Sequence, residues 1–213
     1  MTQQPGLREL NKQRTRQLIA DTAMRLFLEH GFDVVTIAEV ARAAEVDAKT
    51  VYNYFPSKPW LIYHRLETFE AALLDAVRQR KPGESILAAF SRFVIDSHGL
   101  LADEGASQQH RALGETIVNS PTLLAHEQQV FARFTASLAV LIADETGTHP
   151  HDAQPWVVAN ALMGFHRTLI DFVRRSTLAG TQHHQLVREL RAQARHALAP
   201  LENGLARFGS RAS

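Results

Sequence analysis

The sequence predicts an all-α protein: an N-terminal three-helix helix-turn-helix domain followed by a larger helical domain, about nine helices in total. Three observations carry this. Apolar residues recur every three or four positions along nearly the whole chain, and no stretch alternates as a half-buried strand does. Glycine, proline and small capping residues interrupt the pattern at intervals that suit helices. Near the N-terminus two capped segments are short enough to form a pair of brief helices joined by a turn. The division between domains is expected at 1–56 and 57–213.

The first helix is expected from Leu7 to His30, with Ile19, Ala23, Leu26 and Phe27 on its apolar side and Gly31 as its stop. Thr36-Ile37-Ala38-Glu39 is a capping box, flanked by Val35 and Val40 as a hydrophobic staple. The helix it opens is two turns long, with Ile37, Val40, Ala41 and Ala44 apolar. Asp47 caps the next, with Val46 and Val51 as its staple, and Pro56 ends it near Phe55. Ser57 caps a longer helix, with Pro59 tolerated in the first turn, running to about Arg80. Lys81-Pro82-Gly83 breaks the chain. Later helices are expected over about 84–101, 108–119, from Pro121 onward, 152–177 and beyond Gly180, with Pro200 ending or bending the last.

Composition excludes several classes. The chain has 213 residues, 45% of them hydrophobic, so it is not mainly disordered. No run of roughly eighteen apolar residues lacks charges, so no membrane span or membrane partner is expected. The first residues lack the apolar core of a signal peptide, and a cytoplasmic location is expected. Without cysteine, disulfide frameworks, thiol catalysis and cysteine-ligated zinc all fall away. The net charge is +1, so placement says more than total: Arg8, Lys12, Arg14 and Arg16 form a local basic arm opposed only by Glu9.

Two short capped helices joined by three or four residues make a helix-turn-helix pattern. The second has few apolar residues to bury and offers Lys49, Thr50, Tyr52, Asn53 and Tyr54, groups that a helix in the major groove can use on base edges and phosphates. Val51 and Phe55 are better read as core, while Tyr52 suits packing and groove contact equally.

Over about residues 10 to 60 the sequence resembles the TetR family of repressors, through Gly31-Phe32, Thr36-Ile37-Ala38-Glu39-Val40-Ala41 and Thr50-Val51-Tyr52-Asn53-Tyr54-Phe55-Pro56-Ser57-Lys58. The resemblance implies that Thr36 and Lys58 contact phosphates and that Thr50 and Tyr54 touch the DNA backbone. It implies that Lys49, Tyr52 and Asn53 face the groove; from the basic arm, Arg14 is a further candidate DNA contact. Three positions depart from the family pattern: Glu45 stands where the turn usually has glycine, Asp47 where serine is common, and Pro59 where an acidic residue is common. A left-handed Glu45 costs on the order of 1 kcal/mol relative to glycine.

The resemblance further implies a ligand-responsive repressor bound to palindromic double-stranded operator DNA, a homodimer built through the last two helices, and a small-molecule effector held by the middle helices. A dimer also follows from the few bases one recognition helix can read. Candidate effector contacts are Phe90, Val94, His98, Phe131, Phe134, Trp156, Asn160 and His166, with Phe93 and Phe165 as further apolar lining. His98, Asn160 and His166 are polar residues on apolar faces, suited either to orienting an apolar or aromatic ligand or, for the histidines, to bonding a backbone carbonyl in the core. Gly164 permits a close helix approach or leaves room for ligand.

Two other classes of protein compete with this reading. An all-α enzyme finds no support: there is no Glu-x-x-His, His126-Glu127 has Val130 where a zincin needs histidine, and no nucleophile elbow or phosphate-cradling loop occurs. The eleven histidines read as surface or core groups, so no catalytic residue, metal site or cofactor is expected. A helical ligand- or partner-binding protein that has lost DNA binding is the other alternative, kept open by Glu45.

Overall fold

The computed structural model describes residues 6–100 and 107–205. The helices among them are α1 (Leu7–His30), α2 (Ile37–Ala43), α3 (Ala48–Tyr54), α4 (Trp60–Tyr63), α5 (Leu66–Arg78), α6 (Ile86–Leu100), α7 (Ser107–Val118), α8 (Pro121–Thr146), α9 (Ala153–Leu178) and α10 (His183–Leu205). There is no strand among the described residues. The chain forms two compact units, one of residues up to 67 with 116–126, the other of 68–115 with 127 onward.

In the first unit the predicted signals act as written. Thr36 Oγ1 accepts the Glu39 N–H at 3.2 Å, and Glu39 Oε2 accepts the Thr36 N–H at 2.7 Å, so both halves of the capping box are made. Asp47 accepts the Thr50 N–H and starts α3. Between them the chain leaves α2 through a Schellman turn: Val46 N–H bonds to Ala41 O at 3.0 Å and Glu45 N–H to Arg42 O at 3.3 Å. Glu45 takes the left-handed position of that turn with φ 55°, the only non-glycine residue with positive φ among those described. The core under these helices is Ile19, Ala23, Phe27, Phe32, Val40, Val51, Phe55 and Leu61, all at most 3% exposed. Each buried large apolar side chain contributes about 1.5–3 kcal/mol.

One predicted helix is two. The segment expected to run unbroken from Ser57 to Arg80 begins as a tight turn, with Trp60 N–H on Ser57 O and Leu61 N–H on Lys58 O, and is then interrupted at His64-Arg65 between α4 and α5. Leu61 O, which an uninterrupted helix would give to the Arg65 N–H, faces His64 Nδ1 at 3.1 Å. The histidine side chain thus competes for the carbonyl on which the ladder depends. This split raises the helix number above the nine expected. At the other end, of the two roles expected for Pro200, ending the helix is not the one taken: α10 runs through it to Leu205.

The second unit is built from long helices over a core that includes Leu73, Val77, Phe90, Val94, Phe134, Leu138, Ile142, Leu162 and Leu190. Two ion pairs are embedded in it. Arg80, 3% exposed, donates to Glu145 Oε2 at 2.8 Å and to Val77 O at 2.9 Å. Arg174 is bonded to Glu127 with both side chains largely buried. Removing one partner of such a pair strands a buried charge, which costs more than the intact pair adds in net stability.

Candidate nucleic-acid interface and ligand-sensing cluster

Because Val51 and the following Phe55 point inward, the opposite face of the seven-residue α3 is left outward. Lys49 and Asn53 are exposed and Tyr52 is 55% exposed, while Thr50 and Tyr54 are half-buried at the flanks. Tyr52 is therefore not a packing residue of this unit. Thr36 is exposed at the start of α2. The two cap carboxylates are held below the usual carboxylate range, Glu39 chiefly by the Thr36 backbone N–H and Asp47 chiefly by the Thr50 backbone N–H. Both stay ionised at neutral pH and are committed to their helix ends.

The cations divide into two kinds. Arg8, Lys12 and Arg14 are exposed along α1. Arg16 leaves the basic arm: its guanidinium lies 5.5 Å from the centre of the Phe55 ring and 3.6 Å from Glu67. Lys58 is half-buried, with its ammonium 4.4 Å from the centre of the Phe32 ring and 3.4 Å from Asp33 O. Burial pulls its pKa below the usual lysine range. His64 is likewise lowered by burial and sets its ring edge-on to Phe55 at 5.7 Å.

The second unit holds an aromatic cluster. His166, 2% exposed, stacks on Phe69 at 5.2 Å and meets Phe131 edge-on at 5.8 Å. Phe69 also meets Phe93 at 5.4 Å and Phe134 at 6.5 Å. Phe90 and Val94 are fully buried on α6. Beside the rings Glu70 accepts from Ser137 Oγ at 2.7 Å and pairs with Arg133 at 3.2 Å. Phe69, Glu70, Arg133 and Ser137 were not singled out from the sequence. In sequence Phe69 is one apolar position among several on its helix, and nothing local marks Glu70 as the carboxylate that turns inward.

Two expected members do not join the cluster. Trp156 is 37% exposed and spends its indole N–H on Pro150 O at 2.8 Å. Asn160 is exposed and its amide donates to Trp156 O at 2.7 Å. Both lie on the outer side of α9, away from the rings around His166. The sequence held a signal: at about 100° per residue, Asn160 and His166 lie roughly 120° apart on the helix. His98 is outside the residues whose side chains are described. Among the described residues there is no group of three His, Cys, Asp or Glu that could hold a metal, and no helix long and apolar enough to cross a membrane.

A capped helix pair with a polar outer face, carried by a chain whose remaining helices enclose an aromatic core, defines a helix-turn-helix regulator. Comparison with known proteins specifies the kind. Residues 19–62 match the model of bacterial regulatory proteins of the TetR family, and residues 84–206 match the MftR C-terminal domain. The chain is 29% identical over 153 residues, 68% of its length and 73% of the relative's, to a protein described as the mycofactocin biosynthesis transcriptional regulator MftR of Mycobacterium tuberculosis. It is 30% identical over 152 residues, 70% of its length and 67% of the relative's, to the HTH-type transcriptional regulator TcmR of Streptomyces glaucescens. Its fold is shared with NalD of Pseudomonas aeruginosa, the secondary repressor of the MexAB-OprM efflux pump, at a TM-score of 0.58 and 23% identity, covering 92% of this chain and 98% of that one. The chain belongs to the TetR family of transcriptional regulators.

Proposed function

We infer that the chain is a homodimeric repressor released from a palindromic operator by a small apolar or aromatic effector, with residues 1–56 binding DNA and 57–213 sensing and dimerising. The observation that carries this is the outer face of α3, where Lys49, Tyr52 and Asn53 stand in solvent because Val51 and Phe55 anchor the helix. These three reach base edges; Arg14, Thr36, Thr50, Tyr54 and Lys58 hold the sugar-phosphate backbone. Phosphate contacts fix orientation while base contacts select sequence, which is why the two sets carry different side chains.

The dimer reading draws support from the outer side of α9. Trp156 and Val157 are exposed there, Val157 to 64%, and a Cβ added at the exposed Gly164 would meet nothing within 4 Å. An apolar, small-residue helix face left open within one chain suits a second copy. The effector reading draws support from the rings around His166, where Phe131 and Phe134 of α8 meet Phe69 of α5. Effector binding favours the conformer in which the two recognition helices no longer fit one duplex, and by linkage operator weakens effector binding by the same factor.

Selection of bound duplexes from random-sequence DNA with the full chain tests this. Asn53→Ala then costs about 1–3 kcal/mol on the selected duplex and relaxes one base position. Equal losses on every duplex would remove base readout, and failure to enrich any sequence would overturn the repressor reading.

A further inference from the structure

Ser120 stands immediately before α8 and is 2% exposed, so it cannot itself touch DNA. Its hydroxyl makes two bonds. It accepts the Leu123 N–H at 3.3 Å, as a helix cap does, and donates to Asp33 Oδ1 at 3.0 Å. Asp33 lies in the turn after α1, and its backbone carbonyl takes the Lys58 ammonium at 3.4 Å while the Phe32 ring supports that ammonium from below at 4.4 Å. One ammonium and one carboxylate thus belong to the same small cluster, yet among the described residues no ion pair joins them. The carboxylate is turned to Ser120 and the lysine to the carbonyl.

We propose that Ser120 is a positioning residue for the Lys58–phosphate contact: its hydroxyl holds the Asp33 carboxylate off the ammonium, leaving Lys58 available to DNA. The proposal rests on reading Lys58 as a phosphate contact. Opposite charges a few ångströms apart attract several times more strongly at a half-buried site than in bulk water. A carboxylate released from Ser120 therefore swings onto Lys58. A DNA phosphate must then break that pair and approach a second negative charge.

The test uses the full chain and a duplex recovered by selection from random-sequence DNA, titrated across salt concentrations. Lys58→Ala lowers the slope of log affinity against log salt by about one unit. Ser120→Ala weakens binding roughly threefold to tenfold near 0.1 M salt and moves the slope toward that of Lys58→Ala. Asp33→Asn binds more tightly than the natural chain, and adding it to Ser120→Ala restores both affinity and slope. Ser120→Thr keeps donor and cap and rescues binding; thermal melts of each variant track folding. The same factor lost on Ser120→Ala with Asp33→Asn or Lys58→Ala already present would overturn the proposal, since the hydroxyl would then be a cap and nothing more. So would an unaltered slope in Ser120→Ala where Lys58→Ala alters it, which leaves the Lys58 reading intact. An unchanged slope in Lys58→Ala itself would instead remove the phosphate contact, and the proposal with it.

Discussion

Helices α3 and α9 are both polar on part of their outer surface, but they arrive there differently. In α3, seven residues long, a side-chain cap sets the start, a proline sets the end, and Val51 is the one fully buried residue named within it. Local chemistry leaves little freedom in what faces out. In α9, 26 residues long, eight buried residues share the helix with an exposed tryptophan and an exposed valine. Apolar residues lie nearly all round, so its periodicity does not choose a face and its neighbours do. Short helices are written by their ends, long ones by what they pack against.

The largest expected effect is on the packed side of the comparison. Phe134→Ala, at a side chain 1% exposed, should destabilise the chain by about 3–5 kcal/mol in denaturant unfolding. A loss below about 1 kcal/mol would mean that the aromatic cluster is loosely filled. Thr36→Ala probes the end-written side. It removes the hydroxyl that accepts the Glu39 N–H, leaves the residue-36 backbone N–H on the Glu39 carboxylate, and should cost about 0.5–2 kcal/mol, with faster amide exchange confined at first to α2.

Two Schellman turns sharpen the contrast. Gly180, φ 78°, closes α9, whereas Glu45, φ 55°, follows α2. Gly180→Ala should lose, and Glu45→Gly gain, about 1 kcal/mol in thermal melts. Glu45→Gly that fails to stabilise would show that the carboxylate has a use outweighing its strain.

Comparable is Trp156→Ala, about 1 kcal/mol for a side chain 37% exposed that also bonds Pro150 O. If α9 is the dimer face, the loss grows with dilution, and sedimentation will show weaker self-association. Last comes pH. Glu39 and Asp47 are depressed by their cap bonds, so those bonds contribute above the unfolded carboxylate pKa and are lost as pH falls through the lower folded values. Amide exchange at Thr36 and Thr50, whose N–H groups donate to the two carboxylates, should rise in acid before the rest of the first unit opens, and in Asp47→Asn the Thr50 step should vanish.

Much of the fold was legible for the same reason. The caps at Thr36 and Asp47, the stop at Gly31 and the strained turn at Glu45 each depend on neighbours within about four residues, and each stands as read. The break at His64 was not legible, since it turns on which carbonyl one ring nitrogen takes. Neither was the company of His166: Phe69 lies almost a hundred residues away in sequence, and only packing brings it within 5.2 Å.

The sequence by itself determined that the chain is helical, where its short helices begin, and which side of α3 would be left to solvent. Those follow from backbone groups that must be satisfied locally. Tertiary structure alone decided that His166 stacks on Phe69, that Glu70 is shared by Arg133 and Ser137, and that Ser120 reaches Asp33. Each of these depends on the rotation of one helix against another, which is set by the best fit of whole surfaces rather than by any stretch of chain.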